Sequence, residues 1–531
     1  MLVIHNANIH TLDPLNPSPT ALAIEHGRVI AVGTDDEILS SFSTSNVINV
    51  CERTIIPGLT DAHIHLAEFA LSLQKVDCET PTRQECLQRI AARVITAQPG
   101  DWVLGHSWNQ NNWSEGYGSA SLLDAVAPNN PVYLTHKSLH SGWANSIALH
   151  MAGITRNTPD SAGGRVGHLS NGEPDGILFE SAMNILENAI PEPSFVQLVN
   201  AIQTAIPMLM KMGLTGVHDF DSNLCFTALQ ALHHKQELKL RVIKSIHLED
   251  LPHAVEIGLR SGFGDDMLRI GSVKMFADGA LGPHTAAMLQ PYDDDPQNLG
   301  ILMMDSEALY DHGRLAVGNG ISMAVHAIGD RANREVLNAY AQLREFERFN
   351  LSTSQNLLRH RIEHVQIIHP DDIPHFSRLN IIASMQPIHA TSDMLMADRF
   401  WGKRAAFAYT WRSQLSHHVP LIFGSDAPVE SPNPFWGIYA AVTRRRADGR
   451  PSVQGWYPEQ CLSIDEALHA YTTSAAYAAG MEDRLGKLAP GYLADLLVVS
   501  DDPYSCNPNG LYTIHPLATM VGGEWVYSEL E

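Results

Sequence analysis

The chain has 531 residues, 44% hydrophobic and 18% charged, which is ordinary globular composition and long enough for several domains or one large barrel with additions. A formal net charge of −23 argues against nucleic acid or an anionic membrane surface as partner, since both repel an acidic protein. The six cysteines are scattered without a C-x-x-C pair and read as free thiols. No signal-peptide pattern opens the chain and no apolar run reaches the ~18 residues of a membrane span, so a cytoplasmic location is expected.

Residues 1–52 hold short alternating segments (LVIHNANIH, ALAIEHGRVIAVG, NVINV) punctuated by Asn, Pro and Gly, an all-β pattern. Residues 481–531 carry similar ones, LADLLVVS and LATMVGGEWVYSE. Neither end supplies enough strands for its own core, so the two are expected to pair into one small β-sandwich.

Residues 53–67, RTIIPGLTDAHIHLA, supply the first strand of a larger pattern. Side chains alternate along a strand, so His63 and His65 share a face and are placed to share a metal ion. Residues 68–200 then form an insertion too long for a loop, with Trp102, Trp108, Trp113 and Trp143. It is expected to be a folded subdomain that acts as a lid or pocket wall.

From 201 to 480, further apolar runs of strand length alternate with helical patterns. They fall at 213–220, 240–246, 270–278, 321–327, 358–365, 380–386 and 419–428. With the strand at 60–66 the count is eight, the α/β pattern of a (β/α)8 TIM barrel.

Polar residues cluster at the predicted strand ends: His63 and His65 on the first, His326 on the fifth, His364 on the sixth and Asp426 on the eighth. Lys274 lies within the fourth, amid apolar neighbours. That end of a barrel is where its enzymes build active sites, and this donor set suits a divalent ion such as zinc. A charged lysine beside metal ions is costly. It is either neutral, or a carbamate formed with CO2 that bridges two metals, or turned outward onto a carboxylate.

The segments PGLTDAHIHL, SVKMFADGALG, HAIGD, RIEHVQ and GSDAPV, with the G-x-L-x-x-G-Y pattern at 486–492, resemble the amidohydrolase superfamily. The resemblance covers the whole chain and is nearest to the branch of metal-dependent amidohydrolases related to N-substituted formamide deformylase. It implies that His63, His65 and Asp426 bind one metal, that His326 and His364 bind another, and that a carboxylated Lys274 bridges them. The expected cofactor is two Zn2+ per chain, with one ion or two left open. The implied reaction is hydrolysis of a non-peptide C–N bond in an N-substituted formamide, an N-acyl amine or a cyclic amide. A metal-bridging hydroxide is the nucleophile and Asp426 the catalytic base and acid.

The alternatives are a mononuclear-metal deaminase of an aromatic or heterocyclic amine, and an inactive barrel kept as a binding or regulatory protein. His140, Trp108, His218 and Arg331 are candidate substrate contacts. Glu363 is expected to point away from the metals by alternation with His364. The tryptophans, with Phe400, Trp401 and Trp411, suggest aromatic walls for a small-molecule substrate with an apolar or aromatic group. A homo-oligomer is left open.

Overall fold

The structure, a computed structural model, describes residues 1–16, 18–110, 113–137, 141–160, 164–350 and 358–530. Its contacts divide the chain into one unit made of 1–69 with 202–531 and a second made of 70–201.

The first unit is built on eight parallel strands: Leu59–Ile64, Leu214–Asp219, Arg241–His247, Leu268–Phe276, Ser322–Ala327, Arg361–His364, Ile382–Met385 and Leu421–Phe423. All eight coincide with the runs expected from the sequence. They pair in chain order, each with its neighbour. Past the eighth strand the barrel closes on the first: Asp426 N donates to His63 O at 2.7 Å and His65 N to Ala427 O at 2.9 Å. The strands are buried on both faces, by the barrel interior and by the helices outside, which is why apolar residues run through them beside the polar groups of the site.

Helices are set by local chemistry. Pro387 opens the helix Pro387–Trp401 directly after strand seven, where its fixed φ suits a first turn. Ser463 and Glu466 form a capping box at the start of Ile464–Tyr471. The apolar pattern of 463–479 reads as one helix, but the structure breaks it at Thr472 (φ −130, ψ −92) before Thr473–Ala479. Gly486 packs there so tightly that a Cβ would lie 2.9 Å from Thr472 O and 2.8 Å from Thr473 Cα.

The two chain ends form two sheets. One orders Arg28–Gly33, Ala21–Glu25, Leu2–His5 and Val47–Asn49. The other orders Asn8–Ile9, Thr54–Pro57, Leu496–Val499, Pro516–Val521 and Glu524–Ser528, so a C-terminal strand lies between N- and C-terminal partners. Residues from both sheets share one core that includes Leu2, Ile4, Leu22, Ile55, Leu496, Val498 and Met520.

The second unit has its own six-stranded mixed sheet, from Val76–Asp77 to Pro174–Glu180. Two buried clusters serve it, one around Trp108, Trp113 and Trp143, the other around Tyr133, Leu149 and Leu178. Among the described residues no helix is long and apolar enough to cross a membrane.

Candidate metal centre

The five residues singled out at the strand ends converge, with Lys274 among them. His63 Nε2 and His65 Nε2 each lie 3.4 Å from Asp426 Oδ1. The His63 and His364 rings are 4.9 Å apart by centroid, and the His326 and His364 rings 4.5 Å. Lys274 is 3% exposed, with its ammonium 4.5 Å over the Phe220 ring and 5.0 Å over that of Phe276. None of the described residues accepts a hydrogen bond from it, so the outward lysine paired with a carboxylate does not occur.

The histidines share a hydrogen-bond pattern. Each gives its outer nitrogen to an acceptor: His63 Nδ1 to Glu363 Oε2 (2.6 Å), His65 Nδ1 to Asp221 Oδ1 (3.3 Å), His326 Nε2 to Gly279 O (2.9 Å) and His364 Nδ1 to Gln386 Oε1 (2.9 Å). In a neutral imidazole the second nitrogen then carries a lone pair. His63 Nε2 is buried without a hydrogen-bond partner. An unsatisfied buried polar atom costs about 1–3 kcal/mol, and a metal ion would relieve it. The donors therefore fit a divalent cation: nitrogens aimed inward, one shared carboxylate and acceptors that hold each ring in place.

Electrostatics agree with this fit. Burial, with the Lys274 charge adding to it, pushes His326 down to about 4 and lowers His63. Burial also drives His364 well below the usual imidazole range, with His326 adding to it. Burial lowers the Lys274 ammonium to about 8. His65 is the exception. Burial works against its charge, but the hydrogen bonds with Asp221 and Asp426 prevail and carry it up to about 10. Burial also opposes ionisation of Asp426, yet its contacts with His63 and His65 hold it well below the usual carboxylate range. Asp426 is thus held as a carboxylate among the imidazoles.

Backbone conformation aims two of these groups. His364 has φ +75 and Asp426 φ +61, left-handed values that cost a non-glycine residue about 1–3 kcal/mol. Such strain persists where surrounding structure imposes it, and here His364 ends a barrel strand while Asp426 lies three residues beyond one.

This geometry corrects the expectation for Glu363. Its carboxylate points into the barrel, where it holds His63 and pairs with Arg361. Alternation fails because His364 leaves the β-region and turns inward as well. Arg361 also donates to Ala62 O (2.6 Å) and Ser384 Oγ (2.7 Å), and lies 2.9 Å from His218 Nδ1. His218 thus supports Arg361. Burial, helped by that guanidinium, holds it well below the usual imidazole range.

Trp108 is fully buried in the core of the second unit and donates from Nε1 to Leu134 O, so it is a packing residue and not a pocket wall. Trp401 and Trp411 are likewise fully buried. Arg331 is exposed at the start of the helix Asp330–Asn350. His140 lies outside the described residues.

Sequence reasoning missed His389. It sits in the first turn of Pro387–Trp401, with Nε2 3.8 Å from Asp426 Oδ2 and its ring parallel to that of His364. His364, His389 and Asp426 form a second group of close donors beside His63, His65 and Asp426. The signal was QPIH, a histidine three residues past a strand end behind a helix-starting proline.

Comparison with known proteins agrees with this architecture. The chain is 31% identical to Protein LONG AFTER FAR-RED 3 of Arabidopsis thaliana, over 99% of this chain and 91% of that protein. It is 29% identical to N-substituted formamide deformylase of Arthrobacter pascens, over 98% and 97%. A solved structure of an uncharacterized metal-dependent hydrolase from Pyrococcus furiosus matches with a TM-score of 0.79 at 27% identity, covering 95% of this chain and 99% of that one. The model of the amidohydrolase family matches residues 46–527, and the chain belongs to that family.

Proposed function

We propose that this protein is a metal-dependent hydrolase that cleaves a non-peptide C–N bond in an N-substituted formamide, an N-acyl amine or a cyclic amide. One observation carries the reading: the imidazoles of His63, His326 and His364 each spend one nitrogen on a protein acceptor, leaving the other for a ligand, and they gather with His65 around the Asp426 carboxylate and the buried Lys274. In this reading His63, His65 and Asp426 would hold one divalent ion, His326 and His364 would hold another, and Lys274 would serve as a carbamate ligand formed with CO2. Zinc suits such nitrogen and oxygen donors. Bound there, the ions would supply a water whose pKa falls to about 7 and would polarise the scissile carbonyl.

The chain's own groups do the rest. Asp426 accepts the proton of the attacking water and passes it to the leaving nitrogen. Glu363 and Asp221 keep His63 and His65 in their tautomers. Arg331, which is exposed, is offered for a substrate contact. Similarity to the formamide deformylase supports the substrate class.

The test is metal per chain by inductively coupled plasma mass spectrometry, for wild type and Lys274→Ala expressed with zinc and bicarbonate. Close to two ions in wild type and a clear loss in the variant are expected. A panel of formamides and N-acyl amines should then release carboxylate together with amine. One ion in both proteins, with no carboxylate from the amides and ammonia released from an amino-heterocycle added to the panel, would move the reading to a mononuclear deaminase.

A further inference from the structure

His389 breaks the rule that the other four histidines follow. Its outer nitrogen, Nδ1, faces an amide donor, Gln366 Nε2, at 3.5 Å. In this orientation of the Gln366 amide, which leaves its Oε1 buried without a hydrogen-bond partner, Nδ1 accepts and in the neutral ring the hydrogen sits on Nε2. That N–H is buried and has no hydrogen-bond partner. Its nearest carboxylate oxygen, Asp426 Oδ2, lies 3.8 Å away, beyond hydrogen-bond length. His389 itself is 7% exposed and Gln366 4%, so water does not readily satisfy the group.

We propose that His389 is a further catalytic residue, which donates a hydrogen bond from Nε2 to the carbonyl oxygen of the substrate and to the oxyanion that develops from it, and is not a fifth metal ligand. The tautomer argues this. A metal ligand needs a lone pair at the inner nitrogen, and His63, His326 and His364 are each hydrogen-bonded so as to provide one. His389 is hydrogen-bonded so as to provide a proton. A preset donor in a dry site, aimed where negative charge appears, is the arrangement that stabilises acyl-transfer transition states. Gln366 is then the positioning residue that selects the tautomer. The assignment rests on the proposed function above, since it requires the reacting carbonyl to lie beside Asp426.

The experiment uses the full-length protein loaded with zinc, as wild type, His389→Ala and His389→Gln. The glutamine keeps an amide N–H close to the place of Nε2. Three quantities are read: ions per chain, affinity for methylphosphonate as a tetrahedral oxyanion probe, and kcat and KM on whichever formamide or N-acyl amine the panel turns over. Equal metal content is expected in all three proteins. In His389→Ala methylphosphonate should bind about tenfold or more weakly, and kcat should fall about 10²–10³-fold with KM little changed. His389→Gln should recover most of both.

Loss of an ion from His389→Ala would overturn the assignment. His389 would then be a ligand, with the Gln366 amide turned so that Oε1 accepts from Nδ1. Full metal with unchanged probe affinity and turnover would also overturn it and leave His389 to packing. A wild type that binds no ion defeats the proposed function itself, and this assignment with it, whatever the variants do.

Discussion

At the scale of the residue, a charge chain beneath the site controls His63. Arg361 and Glu363 are both buried, and Glu363 holds His63 Nδ1 at 2.6 Å. Such a pair adds little stability by its presence, because desolvation offsets the attraction, but breaking it leaves a buried charge uncompensated. Glu363→Gln should therefore cost about 3–5 kcal/mol, read as a lower thermal midpoint. It should also weaken metal binding by about 10- to 100-fold in a zinc titration, since the ring loses the partner that sets its tautomer. Unchanged metal affinity in a folded variant would show that Glu363 has no part in aiming His63.

The element that decides the site is the end of the barrel strand, where regular geometry stops. His364 and Asp426 reach the centre only because the chain turns left-handed at each. Closure between the last strand and the first has no room to spare. A Cβ on Gly424 would sit 2.4 Å from His63 N and 2.7 Å from Asp61 Oδ1. Gly424→Ala should thus push Asp426 and His63 apart at an overpacking cost of about 1–3 kcal/mol, with a lower melting temperature and weaker binding in a zinc titration. Gly318→Ala is the control, because its Cβ meets only Phe346, at 3.8 Å. Equal behaviour of the two variants would refute the claim that the contact at Gly424 holds the site closed.

For the whole molecule, the division into two units has a consequence for folding. All six strands of the sheet in 70–201 pair within that segment, and its tryptophans pack on one another, with Trp108 6.1 Å from both Trp113 and Trp143 by centroid. A segment with its own core is expected to fold as a unit. The fragment 70–201, expressed alone, should show a cooperative urea transition by circular dichroism and tryptophan emission characteristic of buried rings. A gradual, non-cooperative loss of signal would mean that it needs the rest of the chain. The terminal sandwich is the opposite case: strand Leu496–Val499 lies between Thr54–Pro57 and Pro516–Val521, so neither end has a complete sheet alone.

By itself the sequence determined the barrel, because buried parallel strands and the helices between them announce themselves through local periodicity. It also marked His63, His65, Lys274, His326, His364 and Asp426, which the structure brings together, since strand ends can be counted and a resemblance to a known family covered the same segments. Only the tertiary structure decided how those donors are held. His63 and Glu363 meet across 300 residues of chain, and no local pattern encodes that meeting. Alternation along a strand cannot foresee the left-handed turn at His364 that lets Glu363 and His364 both face inward. Nor can it tell a histidine that offers a lone pair from one, His389, that offers a proton. That difference lies in the hydrogen-bond partner of the far ring nitrogen, and only the fold supplies the partner.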